Sequence, residues 1–392
     1  MLPTDYTPVE VKEPHAFTSP DDVPCPTELS ALILAAAYCK AVQSGEQDTA
    51  ERAATLLKIK NYPKLYLENA SETDVIAQLC QVLSIQGRSI LAEGNLISGV
   101  VSSYVCILSV DAVKTADIAI AMNLESIRGE MGAFDCRLHD IARPYPGQIA
   151  CAANVRRLLQ GSEMVTDIGR QSFGYDTHPR VQDAICIRAT PQTHGGVRDI
   201  LTWCCQNVAD ITASGYLIEY SMNALITALA DLAHISERRA FRLNDTHLSY
   251  GLPMNLVPEG VGLNHGFPVV QSNQAAFVAE LKLLVLPTTA IKKTVTCMSY
   301  YAASKLLHAL PLLHKVLAIE LLMCAQGMDI VKTRLPKFSF GIGTQAVLTE
   351  LRKTVPLMTE NRFVSPDMIE VERLIQKKIL LDAANLSVGP LM

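Results

Sequence analysis

Charge is scarce in this chain. Lys, Arg, Asp and Glu make up 19% of its 392 residues, while hydrophobic types make up 49%. That imbalance favours a large buried core, an oligomer, or both. A net charge of −5 and an isoelectric point near 6.0 leave no basic surface to neutralise phosphates, so nucleic acid is not an expected partner. Metal-ligand spacing is missing as well: eleven cysteines are scattered, with Cys204-Cys205 the single adjacent pair. They read as small hydrophobes in a reducing cytosol, which predicts a cytoplasmic protein without a metal centre. No basic stretch followed by an apolar run marks a signal peptide. Apolar runs such as the LVL before Pro287 are too short to span a bilayer, so no membrane partner is expected. Walker and Rossmann patterns, phosphate-binding glycine loops and a nucleophile elbow are all absent.

Strand signals are sparse and no internal repeat stands out, which leaves helices. Residues 1–26 carry six prolines and several acidic residues, so they read as an extended arm. Residues 27–392 read as a single helical domain. TELSALILAAAYCKAVQ from Thr27 has helical apolar spacing, and Ser71-Glu72-Thr73-Asp74 opens another helix with Ser71 as its cap. Helical spacing continues over 96–130 and 149–161. Loop-rich segments at 132–148 and 169–196 follow, and then one long helical stretch from Val197 to Arg242. A loop at 250–268, a helix at 269–286 and a long apolar helix over 299–331 come next, the last kinked by Pro311. Residues 345–384 give two more amphipathic helices. The fold class is all-α, with long helices bundled around a common core.

Several segments carry a compound signature. Arg137–Gln148 reads RLHDIARPYPGQ and Val181–Gly196 reads VQDAICIRATPQTHGG. Ser236–Arg239 reads SERR, and GLPMNLV, GLNHGFPVVQSNQAAFVAE and KVLAIELLMCAQGMDI start at Gly251, Gly262 and Lys315. In this order they resemble the histidine and aromatic amino-acid ammonia-lyase superfamily over roughly residues 70–384. The resemblance implies an all-helical fold and a homotetramer (or a homodimer) whose helices form a central bundle. The family's electrophile, methylidene-imidazolone, is built from an internal Ala-Ser-Gly. Where the family has Ala-Ser-Gly-Asp before a helix, this chain has Ala70-Ser71-Glu72-Thr73-Asp74. The Cβ-bearing Glu72 opposes the tight ring closure. The expectation is a shortened, divergent member without the cofactor motif, and hence without a cofactor.

Other family positions differ as well. The active-site Asn of Leu-Ile-Asn-Gly is Ser98, the Tyr expected after Gln182 is Ile185, and a Glu-Asp-His segment before Tyr300 is missing. Arg188 stands where the family holds the substrate carboxylate, a task suited to a planar guanidinium fork. Gln182, Ser98 and His265 complete the expected substrate-binding set. Tyr216, Glu219 and Tyr220, at i, i+3 and i+4, share a helix face. With Tyr300 they form the candidate acid–base group, burial being expected to raise the Glu219 carboxyl towards neutrality. His139, Tyr145 and the SERR charges read as structural. The expected function is a cofactor-independent lyase-like enzyme performing addition–elimination, cyclisation or isomerisation. Its expected substrate is a small conjugated carboxylate or carbonyl metabolite of specialised metabolism. The alternative is a non-catalytic homologue acting as a binding or structural subunit.

Overall fold

The structure, a computed structural model, describes residues 23–85, 90–175, 182–209, 214–260, 262–292 and 294–392. The arm expected over 1–26 lies almost wholly outside the described residues. Helices dominate: α1 (Thr27–Gln43), α2 (Gln47–Lys58), α3 (Glu72–Val82), α4 (Leu96–Ile127), α5 (Pro146–Leu158), α6 (Asp167–Ser172) and α7 (Ile185–Arg188) lead. Then come α8 (Thr190–Val208), α9 (Gly215–Leu243), α10 (Pro268–Leu284), α11 (Ser299–Arg334), α12 (Ile342–Leu351), α13 (Ser365–Gln376) and α14 (Ile379–Val388). No β-strand occurs among the described residues. The fold is all-α.

The chain divides into two compact units. Unit 1 comprises 1–107, 203–224 and 287–308; unit 2 comprises 108–202, 225–286 and 309–392.

In unit 1, α1 packs on α2 and buries Leu29, Ile33, Leu34, Ala37 and Ala41 completely. Each buried Leu or Ile stabilises by about 1.5–3 kcal/mol. The start of α3 is fixed by a capping box. The Ser71 hydroxyl accepts from the Asp74 N–H at 3.2 Å, and Asp74 Oδ2 accepts from the Ser71 N–H at 2.9 Å.

In unit 2, the helices expected to begin later begin earlier. The PQTHGG run, read as loop, is the first turns of α8, and the single stretch read over 197–242 is two helices. Gly147 and Gly195 have a packing role there. A Cβ on Gly147 would lie 2.1 Å from the Gly195 carbonyl oxygen, so these glycines mark close contact between α5 and α8, not a turn. The region from 345 holds three helices, not two, and α11 continues through Pro311.

The unit 2 interior holds two contrasting carboxyls. Asp117 on α4 accepts from His194 Nδ1 at 2.8 Å, Arg198 Nη2 at 2.6 Å and Asn154 Nδ2 at 2.9 Å. Burial works to raise this carboxyl, but Arg198, His194 and Asn154 outweigh it and hold it below the usual range. Beside it, Arg239 and Glu320 form a fully buried pair at 2.6 Å, with the Ser236 hydroxyl donating to Glu320. Glu125, by contrast, meets only neutral donors among the described residues: the Gly341 N–H, the Ser162 hydroxyl and the Thr344 hydroxyl. Burial therefore pushes it up to about 7.

One expectation about length fails. By length and composition, α4 and α11 could each cross a membrane. Most of the apolar stretch of α11, and over half that of α4, is buried inside the protein, as in core helices.

Candidate functional site

Within unit 1, the starts of α4, α9 and α11 come together. Asn95 opens α4, its carbonyl accepting from the Gly99 N–H at 2.8 Å. Gly215, the first residue of α9, lies so close that an added Cβ would sit 2.7 Å from Asn95 Oδ1 and 2.8 Å from Cys297 Sγ. Ser214, just before α9, is exposed, and its carbonyl accepts from the Ile218 N–H at 3.1 Å. Residues 210–213 lie outside the described residues.

One turn into α9, Glu219 is saturated. It accepts from the Thr288 hydroxyl at 2.6 Å, Lys292 Nζ at 2.7 Å and the Met298 N–H at 3.0 Å. Asn223 Nδ2 donates to the Thr288 hydroxyl, and the Thr288 N–H donates back to Asn223 Oδ1. Burial alone would raise the carboxyl, as expected from sequence. Lys292, Met298 and Thr288 reverse the sign and hold it below its ordinary value. Glu219 is therefore a charged anchor between α9 and the segment leading into α11, not an acid poised near neutrality. Tyr216 and Tyr220 point outward, 38% and 51% exposed. The Tyr216 hydroxyl donates to the Val295 carbonyl at 3.3 Å, and the Lys292 ammonium lies 5.1 Å from the Tyr216 ring centre.

Ser98 and Tyr300 lie deeper. The buried Ser98 N–H donates to Glu72 Oε1 at 2.9 Å. Burial raises the Glu72 carboxyl, with Ser98 and Ile97 opposing. The Tyr300 hydroxyl donates to the Leu67 carbonyl at 3.2 Å, and burial pushes this phenol up to about 12. The protonated phenol is thus a donor that holds a loop. Residues 70–72 do not fit the family's prosthetic group: Ser71 is engaged as a helix cap, and Glu72 is tied to the first turn of α4.

In unit 2, Arg188 ends α7 exposed, and its guanidinium makes no ion pair or hydrogen bond among the described residues. Gln182 and His265 are exposed too, and the His265 N–H donates to Asn361 Oδ1 at 2.8 Å. Asp117, Cys151 and His194 bring three potential metal-ligand atoms within 4.8 Å of one another. They do not suit a metal. Both Asp117 oxygens are taken by nitrogen donors, and burial drives the Cys151 thiol well above its ordinary value, against the thiolate a metal needs.

Sequence reading missed Lys292 and Thr288, which carry no motif, and one feature that does. Ala213-Ser214-Gly215 is an Ala-Ser-Gly. The expectation of a chain without that tripeptide is corrected by the chain itself. Reading 197–242 as one helix concealed the tripeptide in the gap between α8 and α9.

The family described as aromatic amino acid lyase matches residues 90–215 and 212–353, and the two matches overlap across this tripeptide. Histidine ammonia-lyase of Sorangium cellulosum is 34% identical over 309 residues, covering 70% of this chain and 58% of that protein. The histidine ammonia-lyase of Alkaliphilus oremlandii is 31% identical over 335 residues, covering 78% and 63%. The chain thus spans about three fifths of the length of these relatives. Among solved structures, tyrosine aminomutase from Streptomyces globisporus aligns with TM-score 0.82 at 24% identity, covering 94% of this chain and 84% of that one. Histidine ammonia-lyase from Trypanosoma cruzi aligns with TM-score 0.78 at 20% identity, covering 94% and 79%. The expected cofactor-independent cyclase or isomerase is overturned by these relatives, whose identities of 31–35% attach to proteins named histidine ammonia-lyase.

Proposed function

We propose that this chain, which belongs to the aromatic amino acid lyase family, is an ammonia-lyase acting on histidine or an aromatic α-amino acid. The reaction breaks the Cβ–H and Cα–N bonds of the substrate, leaving ammonia and an α,β-unsaturated carboxylate. The observation that carries this reading is Arg188, an exposed guanidinium without an acidic partner among the described residues. It suits the bidentate capture of an amino-acid carboxylate. Gln182 and His265, exposed in the same unit, are further substrate contacts in this reading. Tyr216 and Tyr220 present exposed phenols within unit 1, where Glu219, Ser98 and Tyr300 hold the elements around them. A cytoplasmic location and a homotetramer belong to the same proposal, supported by the exposed apolar side chains Leu217, Tyr220 and Phe241 along α9.

The test is coupled detection of ammonia and the matching unsaturated acid from histidine, phenylalanine and tyrosine. Product from at least one is expected. Arg188→Ala should weaken substrate binding by about 10- to 100-fold, since a charge-assisted pair contributes roughly 1.5–3 kcal/mol. Release of ammonia from none of the three would overturn the proposal.

A further inference from the structure

We propose that Cys106 of α4 and Cys205 of α8 form a reversible disulfide, a redox-modification site that closes when a small-molecule disulfide such as oxidised glutathione is present. The site lies wholly in unit 1 and stands apart from the substrate reading above.

Three observations point to this pair. The first is register. The Ser103 hydroxyl of α4 donates to the Val208 carbonyl of α8 at 3.3 Å. Three residues forward on α4 and three back on α8 lead from that contact to Cys106 and Cys205. Both stay on the same faces, as in an antiparallel helix pair. The second is contact. The two thiols are hydrogen-bond partners, as this register requires, and both are free. The third is the orientation of the neighbouring cysteine. Cys204 is fully buried, and its thiol donates to the Ser221 carbonyl of α9 at 3.1 Å. Asn207, one turn on, donates to the Ser221 hydroxyl at 2.9 Å. α8 thus turns residues 204 and 207 towards α9, and residues 205 and 208 towards α4.

Exposure sets the order of events. Cys205 is half-buried, whereas Cys106 is buried. Burial, with Cys205 and Cys204 beside it, also holds the Cys106 thiol in its protonated form. Cys205 therefore reacts first. Its thiolate attacks one sulfur of the small disulfide, one thiol leaves, and a mixed disulfide remains on Cys205. The Cys106 thiolate then attacks Cys205 Sγ, and the second thiol leaves. The two cysteines give up two electrons and two protons, and the small disulfide takes them to become two thiols. In a reducing compartment a bond of this kind is transient and senses the thiol–disulfide balance.

The test is incubation of the full chain in glutathione buffers of rising oxidised fraction. Free thiols are then blocked with N-ethylmaleimide in denaturant, and tryptic peptides are mapped without reduction. Trypsin places Cys106 in Ser89–Lys114 and Cys205, with Cys204, in Asp199–Arg238. The expected result is a cross-link between these two peptides, lighter than their sum by two hydrogens and reversed by dithiothreitol. Fragmentation of the wild-type cross-link should assign it to Cys205. It should persist in Cys204→Ser and vanish in Cys205→Ser, with circular dichroism showing unchanged helix content in both. A loop between Cys204 and Cys205 within one peptide overturns the proposal. So does a mixed disulfide on Cys205 that never passes to Cys106, or a Cys106 blocked by N-ethylmaleimide at every oxidised fraction.

Discussion

Two tripeptides of unit 1 differ by one residue: Ala70-Ser71-Glu72 and Ala213-Ser214-Gly215. Each stands at the start of a helix. In the first, the serine caps α3, and the glutamate that follows reaches across to the N–H of Ser98. In the second, the serine is exposed, and a Cβ on the glycine would press on the side-chain ends of Asn95 and Cys297, 2.7 and 2.8 Å away. The same two leading residues therefore serve a local hydrogen-bonding role in one place, while in the other the serine hydroxyl makes no hydrogen bond among the described residues. What separates them is the third residue and its neighbours: Glu72 reaches the Ser98 N–H, whereas a side chain at 215 would have to displace the ends of Asn95 and Cys297.

The contrast can be broken most forcefully at the serines. Ser214→Ala should lower ammonia release by on the order of 100- to 1000-fold, the scale of losing a dedicated electrostatic or electrophilic group, whereas Ser71→Ala should leave turnover near wild type. Equal losses in the two variants would erase the distinction. Next in size is the glycine. Gly215→Ala should cost about 1–3 kcal/mol of stability through overpacking against Asn95 and Cys297, read as a lowered denaturation midpoint. A neutral Gly215→Ala would mean that the close approach relaxes freely.

The neighbouring carboxyls sharpen the comparison through pH. Glu72 is raised by burial, so its contribution to stability is present at low pH and lost as pH rises through its folded-state value. Glu219 is lowered by Lys292, Met298 and Thr288, so its contribution is present at higher pH and lost as pH falls. Melting curves of Glu72→Gln and Glu219→Gln between about pH 4 and pH 7 should therefore diverge from wild type in opposite directions. The Glu219→Gln deficit should grow with pH, while wild type should lose ground to Glu72→Gln. Parallel curves would show that the two carboxyls share one environment. Smallest of all, Ser71→Ala should cost about 1 kcal/mol for the lost cap, seen as a modest drop in midpoint at constant slope.

Much of this was legible in the sequence. The Ser71–Asp74 cap needed only local spacing, and the long apolar helices needed only periodicity. The compound signature around Arg143–Gln148 and Val181–Gly196 located the family and its all-α fold. Legibility failed where a residue's reason lay at a distance. Gly195 and Gly196 suggested a loop, yet both lie in α8, where Gly195 meets Gly147 of α5 at close range. Glu219 could be given a face but not a sign, because Lys292 and the Met298 N–H reach it from far along the chain. The Ala213–Gly215 tripeptide was hidden for a different reason. Apolar spacing runs smoothly on both sides of it, so periodicity bridged a gap that only the two separate helices reveal.

The Asp117 network has a further consequence, for how titration experiments should be interpreted. Asp117 and Glu320 face Arg198 and Arg239, two anions against two guanidinium groups, with His194 between them. Burial lowers the His194 imidazole despite the pull of Asp117, since a proton there would leave one positive charge without a counterpart. This ring should remain spectroscopically silent across the physiological range, an internal reference whose nitrogen resonances stay fixed while others move. Glu125, whose donors among the described residues are all neutral, is pushed up by burial to about 7. A buried carboxyl stretch changing around neutrality in infrared difference spectra should disappear in Glu125→Gln, and isotope editing of the histidines should leave it untouched.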